Sequence, residues 1–451
     1  MKKPSLLSDY LNKYAAGPPW KLAAENLENI GQVVVIPAYA EKELIFDTLA
    51  SLAANDDAML ANTLVLSVIN NKAASPAADK ENNAATLGLL ETLVGRGSIS
   101  RCGLSGRLSD ALESIADRRL RLAYVDASSP GLEIPQPLGG VGMARKIGMD
   151  MALRVLKNAS SEPGAILSLD ADTRVQTDYL STVRRFFSSR RTQTGVIAYA
   201  HQMPGDDAAR QAICSYEIFL RYWVLGLQYA RSPYAFHSIG STIVTTTDAY
   251  LAVRGMNRRE AGEDFYFLNK LAKNGPVRQI KETVVYPSAR ISVRVPFGTG
   301  AAVGKRMAKQ APEHTLYDPR IFCILKDWLA LMNNSFDRSA SAILALAKEI
   351  DAGLEAFLIG RGFLADWPKI RRNIKDMRTY ERQFHTWFDG FETLKLINYL
   401  SKEYYPRVEQ SSALRVIWQM LDEEFTGEPP WRNALNLEDP MNVLSHLRQR
   451  T

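Results

Sequence analysis

The chain has 451 residues, of which 46% are hydrophobic, 23% charged and 9% aromatic. This composition is typical of a globular protein, and it excludes disordered, collagen-like and disulfide-scaffold proteins. The 55 basic and 49 acidic residues leave a formal net charge of +6, a mild excess that is compatible with a polyanionic ligand or a membrane surface but requires neither.

Cysteine usage and hydropathy predict a cytoplasmic protein. Cys102, Cys214 and Cys323 lie more than 100 residues apart and are odd in number, so they are expected to be free thiols in a reducing compartment. No run of 18 or more uncharged apolar residues predicts a transmembrane segment. The first residues likewise lack the apolar stretch of a signal peptide.

Strand and helix patterns alternate through the first part of the chain. Residues 1–30 are expected to form short helices that precede the first strand. The predicted strands lie within 31–41, 63–71, 119–128 and 164–173, and the predicted helices within 46–56, 84–94 and 142–156. This alternation predicts an α/β fold with a mostly parallel sheet and helices on both faces. In such sheets ligands bind outside the carboxyl ends of the strands.

The pattern changes after about residue 310. Amphipathic helices are predicted at 382–400 and 411–425, and no convincing strand is found from residue 319 onward. Five of the seven tryptophans also fall in this part. We expect an all-helical C-terminal domain over 311–451, whose role in dimerisation, in walling an acceptor site or in plain packing the sequence leaves open.

The segment LSLDADT places two carboxylates at the end of a predicted buried strand. Asp170 and Asp172 are separated by one small residue. Carboxylate oxygens in this arrangement can share Mg²⁺ or Mn²⁺, and such a cation would neutralise a diphosphate leaving group. A solvated turn at a strand end is the alternative interpretation.

A second acidic pair opens the predicted helix GEDFYFLNKLAKNG (262–275). Glu263 and Asp264 complement the helix dipole, which alone would explain one acid. An acid at a helix start that faces a cleft is also placed to accept a proton from an attacking hydroxyl. A neighbouring carboxylate would raise its pKa toward a useful range.

Five sequence motifs, in this order along the chain, resemble those of a known protein family. They are PAYAE after a strand, GMARKIGMDMAL in a helix, DAD after a later strand, the stretch IGSTIV…VRGM, and GEDFYFL. Over residues 31–310 the chain resembles a family 2 glycosyltransferase with the GT-A fold. The resemblance implies a Rossmann-like sheet, a nucleotide-diphospho-sugar donor, a hydroxyl acceptor and inversion in a single displacement.

The resemblance also implies roles for individual residues. Asp264 would be the catalytic base, with Glu263 as its partner, and Asp170 and Asp172 would bind the metal and the diphosphate. The nucleotide-sugar contacts that it implies are Pro37, Ala38, Tyr39 and Glu41 after the first strand, Arg145 beside the nucleotide, and Gly240 and Ser241 beside the donor sugar.

Two departures from the family pattern bear on specificity. The second strand ends in Asn70 and Asn71 where the family usually has aspartates that touch the nucleobase. An amide both donates and accepts hydrogen bonds, so uridine is not assumed and UDP- and GDP-linked donors are both expected candidates. About 23 residues (95–117) are also interposed before the third strand, as part of an acceptor site or as a surface excursion.

The segment 286–307 is predicted to supply cations to the diphosphate. Residues 288–295 alternate like a half-buried strand with Arg290 and Arg294 on one face. A glycine-rich loop then carries Lys305 and Arg306 and would close over the bound donor. An ordinary exposed strand and turn is the alternative. The basic segment 184–191 is interpreted as a solvated helix face, so no nucleic-acid partner is expected.

The sequence therefore predicts a metal-dependent, inverting glycosyltransferase, with possible homo-oligomerisation through its helical domain. A retaining synthase of a small glycosylated solute is the nearest alternative, since the acceptor is expected to be soluble. A non-catalytic nucleotide-sugar-binding scaffold is less favoured because both acidic motifs are present. A nucleotidyltransferase would need a glycine-rich basic loop after the first strand, which PAYAEKEL does not provide.

Overall fold

Nine strands form one mixed sheet within the part of the chain that the computed structural model describes, which is residues 6–97, 106–157, 164–188, 192–291, 298–308, 315–424, 437 and 439–451. The strands are β1 (Leu22–Ala24), β2 (Gln32–Ala38), β3 (Thr63–Asn70), β4 (Leu122–Ala127), β5 (Ala165–Ser168), β6 (Arg174–Val175), β7 (Thr194–Tyr199), β8 (Ile243–Thr246) and β9 (Val277–Tyr286). Their order across the sheet is β1-β4-β3-β2-β5-β8-β7-β9-β6.

The centre of the sheet is parallel. Strands β4, β3, β2 and β5 run in the same direction, whereas β8 pairs antiparallel with both β5 and β7. Every residue of β2 and β3 is buried, so both faces of the sheet are covered, as parallel sheets require. The predicted α/β fold with a mostly parallel sheet is confirmed.

The helices are numbered in chain order. They are α1 (Leu6–Lys13), α2 (Lys42–Ala53), α3 (Asp57–Asn62), α4 (Ala77–Val94), α5 (Arg107–Asp117), α6 (Val141–Lys157), α7 (Tyr179–Ser188), α8 (Asp207–Tyr229), α9 (Thr247–Ala252), α10 (Glu263–Asn274), α11 (Thr299–Met307), α12 (Arg320–Asn333), α13 (Ala340–Ile350), α14 (Ala352–Gly360), α15 (Phe363–Arg371), α16 (Met377–Trp387), α17 (Gly390–Glu403), α18 (Gln410–Glu424) and α19 (Pro440–Arg450). Among the described residues, none of these helices is both long and apolar enough to cross a bilayer.

The described residues divide into two compact units. The first holds the sheet and consists mainly of residues from Met1–Gln202 and Ser238–Ala289, whereas the second consists mainly of residues from Met203–His237 and Gly298–Thr451. In the first unit, alternate residues of β2 face opposite sides. Val34 belongs to the core shared with α2 and α5, while Val35 lies against α6 at Gly148, where an added Cβ would come within 2.4 Å of it.

The second unit is helical around an aromatic core. Trp328 of α12 packs edge-on against Phe363, Phe384 and Phe388, and α8 contributes Tyr222 and Leu225 to the same buried cluster. The predicted helical character after residue 310 is confirmed. One small exception is a two-residue strand, β11 (Val408–Glu409), which pairs with β10 (Thr315–Leu316).

Three sequence predictions are corrected by the fold. Leu22–Ala24 is a strand paired with β4 rather than part of a helical lead-in. Residues 287–291 are not a strand, because the chain leaves the sheet after Tyr286 at Pro287, which has no N–H for a ladder. Lys305 and Arg306 lie in α11 rather than in a loop, because Val303 gives this glycine-containing segment a buried helical face.

The inserted segment 95–117 ends in a packed helix. Its described part includes α5, whose Ala111, Leu112 and Ile115 are buried in the core of the first unit. Arg107 at the start of α5 forms an ion pair with Asp47 of α2. This helix is therefore a structural layer of the sheet domain, and it is not the surface excursion that the sequence left open.

Candidate active site

The DAD carboxylates lie on an anchored turn at the carboxyl edge of the sheet. Strands β2, β3 and β5 are parallel neighbours, so their carboxyl ends meet at one edge. The turn after β5 is closed by the Thr173 amide, which donates to the Asp170 carbonyl at 3.1 Å. Gln202 Nε2 donates to the Asp172 carbonyl at 3.0 Å. Both carboxylates are partly exposed, so the turn is rigid while its acids are accessible.

The second acidic pair begins α10. Gly262 precedes the helix with φ of 71°, a left-handed conformation that glycine adopts without a Cβ penalty. Glu263 is buried and Asp264 is half-buried. Oδ1 of Asp264 accepts a hydrogen bond from the Phe265 amide at 2.7 Å, which fixes the carboxyl group at the helix start.

Arg145 joins the two acidic motifs. This residue of α6 is 3% exposed, and its guanidinium donates through Nη2 to Asp170 and through Nε to Glu263 Oε1 at 3.0 Å. Nη1 also donates to Ser168 Oγ at 2.6 Å and to the Gly240 carbonyl at 3.3 Å. A planar, always-charged fork suits such a multiple contact. The strand-end and helix-start motifs are thus held together through one buried side chain.

Burial and mutual repulsion among the acids of this network raise the pKa values of Glu263 and Asp264. Burial, followed by the negative charge of Glu263, raises the pKa of Asp264 from 3.8 to about 7. Burial also raises the pKa of Glu263, while the Arg145 guanidinium opposes that shift. A carboxyl group whose pKa lies near neutral pH both accepts and releases a proton readily. Asp264 is therefore electrostatically suited to proton transfer.

Gly240 leaves the space that Arg145 fills. A Cβ on Gly240 would lie 2.2 Å from Arg145 Nη2 and 2.7 Å from its Cζ, so a side chain here is incompatible with the observed guanidinium position. The following residue, Ser241, is fully buried, and its Oγ has no hydrogen-bond partner within the described chain. The predicted Gly240–Ser241 segment therefore borders the charged network, and its predicted contact with the donor sugar stays a prediction.

The predicted nucleotide-contact residues after the first strand are distributed around its exit. Pro37 and Ala38 end β2 and are buried. Tyr39 donates through its hydroxyl to Asp79 of α4 at 2.5 Å. Glu41 is 7% exposed and occupies the position before α2. Their contact with a nucleotide stays a prediction.

Asn70 and Asn71 hold three strand ends together. The Asn70 amide donates to the Ala38 carbonyl at 2.9 Å, and the Asn71 amide donates to the Ser128 carbonyl at 3.2 Å. Asn83 of α4 donates to Asn71 Oδ1 at 2.9 Å. Both asparagines are buried, and their side-chain N–H groups donate hydrogen bonds within the chain. Their proposed contact with the nucleobase stays a prediction.

The described part of the structure does not bring together the three cations that were predicted to contact the diphosphate. Arg294 lies outside the described residues. Lys305 is exposed on α11 of the second unit. Arg306 lies over the Tyr216 ring at 5.4 Å and donates through Nε to Ser215 Oγ at 3.5 Å, both within that unit. The role of these three cations toward the diphosphate stays a prediction.

Sequence reasoning missed two residues that build the site. Ser168 receives an Arg145 hydrogen bond, and Gln202 anchors the DAD turn. Ser168 stands two residues before Asp170 in LSLDADT, so period-two alternation along the strand was available as a signal. Gln202 follows β7 and is far from every recognised motif in sequence, so only the fold brings it to the turn.

A family model described as glycosyl transferase family group 2 matches residues 165–312. The chain carries a glycosyltransferase domain. This match confirms the predicted resemblance to family 2 and the predicted enzyme class, and the matched range includes Asp170, Asp172, Glu263 and Asp264. No curated protein matches the sequence significantly.

Solved structures also show similarity to this chain. TarS residues 1–349 from S. aureus, in complex with UDP-GlcNAc, is 14% identical, with 79% of this chain and 92% of that chain covered and a TM-score of 0.38. Mannosyltransferase PcManGT from Pyrobaculum calidifontis, in complex with GDP-Man and Mn²⁺, is 16% identical, with 88% and 92% covered and a TM-score of 0.38. Similarities at this level define neither donor nor metal for this chain.

Proposed function

We propose that this glycosyltransferase moves a sugar from a nucleotide-diphospho-sugar to an acceptor hydroxyl with inversion. The observation that carries the proposal is the Arg145 network, which joins Asp170 of the DAD turn to Glu263 beside Asp264. The carboxylates of the DAD turn suit the binding of a diphosphate through a metal, and the acidic pair at the start of α10 suits the acceptance of a proton. Their connection through a buried guanidinium supports a single site.

In the proposed reaction, Asp264 accepts the proton of the acceptor hydroxyl. The acceptor oxygen forms a bond to the anomeric carbon as the bond from that carbon to the diphosphate oxygen breaks. The nucleoside diphosphate departs with the bonding electron pair, and the proton remains on the Asp264 carboxyl. A carboxyl whose pKa is raised to about 7 by burial and by Glu263 matches this task near neutral pH.

Arg145 and Glu263 position the reacting groups in the proposed site. Glu263 holds the guanidinium from one side, and Arg145 holds Asp170 in turn. The negative charge of Glu263 also keeps the pKa of Asp264 high enough for efficient proton transfer. Neither residue needs to contact the anomeric carbon for its loss to impair the reaction.

Asp170 and Asp172 would hold the proposed Mg²⁺ or Mn²⁺. Their donor set fits the ion, because hard divalent cations prefer carboxylate oxygens and both side chains are partly exposed. Among the described residues, no group of three or more His, Cys, Asp or Glu side chains is arranged to hold a metal, and Asp170 and Asp172 are the two protein ligands that the proposal assigns. When bound, the ion would supply neutralisation of the diphosphate charge.

The donor remains proposed as UDP- or GDP-linked, with a soluble hydroxyl compound as acceptor. We also propose a cytoplasmic setting and leave association of the helical unit with a second copy as a prediction. The donor rests on the sequence resemblance and the cytoplasmic setting on cysteine usage and hydropathy. The soluble acceptor rests on the hydropathy and on the predicted helical C-terminal domain, and the association rests on that domain alone.

The proposal is tested by nucleoside diphosphate release from a panel of UDP- and GDP-sugars with Mn²⁺. Asp264→Asn should lower turnover by roughly 10²–10⁴-fold, the usual contribution of a general base. Asp248→Asn is a matched control, because Asp248 also begins a helix but is exposed and pairs with the exposed Lys157 at 3.4 Å. If Asp264→Asn retained most turnover, the base role would be wrong and the retaining alternative would be favoured.

A further inference from the structure

A strongly cationic, solvent-open cavity lies in the first unit, and its lining, as far as the structure describes it, shares no residue with the candidate active site. Its volume is about 770 Å³, and the cations in its lining are Lys13, Lys146, Arg254, Arg258, Arg259 and Lys270. Among the described residues that line it, none is a carboxylate. Six cations around one cavity repel one another, so the cavity favours an anion.

Most of this charge is not neutralised internally. Lys13 pairs with Asp9 at 2.5 Å, and Lys146 pairs with Asp150 at 3.0 Å. For the other four cations, no carboxylate oxygen lies within 4.0 Å in the described part of the chain. Three of these four, the arginines, are exposed to solvent. The cavity therefore presents an excess of positive charge to any ligand that enters it.

Two tyrosine rings orient two of the three arginines without neutralising them. The Arg254 guanidinium lies 5.1 Å from the centre of the Tyr14 ring, and that of Arg259 lies 3.6 Å from the centre of the Tyr266 ring. Cation–π contacts of this kind hold the charged plane in place. The guanidinium N–H groups remain charged donors that suit the oxygens of a phosphate.

Lys270 adds a half-buried ammonium at the wall. It donates to the Val253 carbonyl at 3.1 Å and to the Gly255 carbonyl at 2.6 Å. Burial, followed by the charge of Lys146, lowers the pKa of Lys270 to about 8. An incoming anion would relieve the repulsion between the two ammonium groups.

The segment that carries the arginines is held against α6. A Cβ on Gly142 would lie 2.3 Å from the Arg259 carbonyl oxygen, so the two backbones are in close contact. A Cβ on Gly255, whose φ is 71°, would lie 2.1 Å from the Tyr10 hydroxyl. The cations are therefore presented on a packed backbone, which lowers the entropy lost on binding.

We propose that this cavity binds a phosphate-bearing ligand, at a site separate from the donor site. The arginine forks and Lys270 would contact the phosphate oxygens, and Asn257 in the lining supplies further polar groups. The phosphate could belong to a soluble phosphorylated compound or to a lipid headgroup, which share this chemistry. The inference goes beyond the proposed transfer reaction and does not depend on it.

Pyrophosphate binding, measured by calorimetry on the full chain in EDTA, tests the proposal. EDTA removes the cation on which the proposed donor site depends. Arg254→Gln with Arg258→Gln should weaken pyrophosphate binding at least tenfold, since charged hydrogen bonds are lost. The control is Arg154→Gln with Arg278→Gln, which removes the same charge from exposed positions outside the cavity and should change binding less than twofold.

The outcomes separate this site from the proposed function. Asp172→Ala should leave pyrophosphate binding in EDTA unchanged, so a failed transfer reaction would not affect this test. Absence of saturable binding, or equal weakening in both double variants, would overturn the proposal. Co-sedimentation with vesicles that contain anionic phospholipid, lost in the cavity variant but kept in the control, would assign a lipid headgroup. Pyrophosphate binding without co-sedimentation would assign a soluble ligand.

Discussion

The Nε atom of Arg145 lies 3.0 Å from Oε1 of Glu263, and these side chains are 4% and 5% exposed. An ion pair at this depth depends on both partners, because removal of one leaves the other charged and desolvated. The same guanidinium contacts Asp170. The acidic motifs of the sheet edge and of α10 are therefore one electrostatic unit, and a change in either motif should affect the other.

Turnover should rise with pH through about 7. The proposed base acts only when Asp264 is deprotonated, and burial together with Glu263 raises the pKa of that carboxyl to about 7. Turnover at saturating donor and acceptor should therefore increase from pH 5.5 to pH 8 with a midpoint near 7. A pH–rate profile for the wild type checks this, with Asp248→Asn as the control. A flat profile across that range would contradict the assignment of Asp264 as base.

The stability of Asp264→Asn should exceed that of the wild type increasingly as pH rises. Because the folded pKa of Asp264 is raised from 3.8 to about 7, its contribution to stability is present below pH 4 and is lost as pH rises through 7. The asparagine does not titrate. Between pH 4 and pH 8 the difference in unfolding free energy should grow in favour of Asp264→Asn by about 3–4 kcal/mol. Urea unfolding at several pH values measures it, and a constant difference would show that the carboxyl is not shifted.

Arg145→Met should destabilise the fold by about 3–5 kcal/mol, because it leaves Glu263 buried and unpaired. Its hydrogen bonds to Ser168 and to the Gly240 carbonyl are lost as well. Arg107→Met is the matched control, since Arg107 is exposed in its ion pair with Asp47 and such pairs contribute at most about 1 kcal/mol. Denaturant unfolding compares the two variants. Equal losses would mean that the Arg145 network does not hold the site together.

Gly240→Ala should impair turnover and cost about 1–3 kcal/mol of stability. The added methyl would lie 2.2 Å from Arg145 Nη2, so the guanidinium must move away from the acids that it joins. Gly88→Ala on α4 is the control, because a methyl added there would have no neighbouring atom within 4 Å and alanine favours a helix by up to about 1 kcal/mol. Unchanged turnover in Gly240→Ala would show that the position of Arg145 is not required.

The centre of the fold was predictable because its strands are buried on both faces. Strands β2 and β3 are continuous apolar runs, which is the form that a parallel sheet requires. Strand β9 was missed because its sequence, VRQIKETVVY, mixes exposed charges with buried residues. The residues after it were assigned to a strand on alternation alone, which does not reveal that Pro287 ends the hydrogen-bonded ladder.

The acidic residues of the site were predictable, but the way they are connected was not. The order of DAD and GED motifs indicated a function, but neither motif predicted that one side chain joins them. Arg145 is buried between Asp170 and Glu263, residues 25 and 118 positions away in sequence, and its predicted place beside the nucleotide stays a prediction. Such long-range pairing depends on how α6 packs against the sheet. The contribution of Gln202 to the DAD turn has the same origin.

Nucleotide-dependent thermal stability tests the central proposal most directly. Unfolding temperatures would be measured with UDP, GDP, ADP, CDP and dTDP, each with and without Mn²⁺, for the wild type and Asp172→Ala. One nucleotide should stabilise the wild type only with the metal, by about 2.7 kcal/mol at 100 times its dissociation constant. That effect should disappear in Asp172→Ala. Absence of stabilisation by every nucleotide, or an equal effect in Asp172→Ala, would contradict a metal-dependent nucleotide-sugar site at the DAD turn.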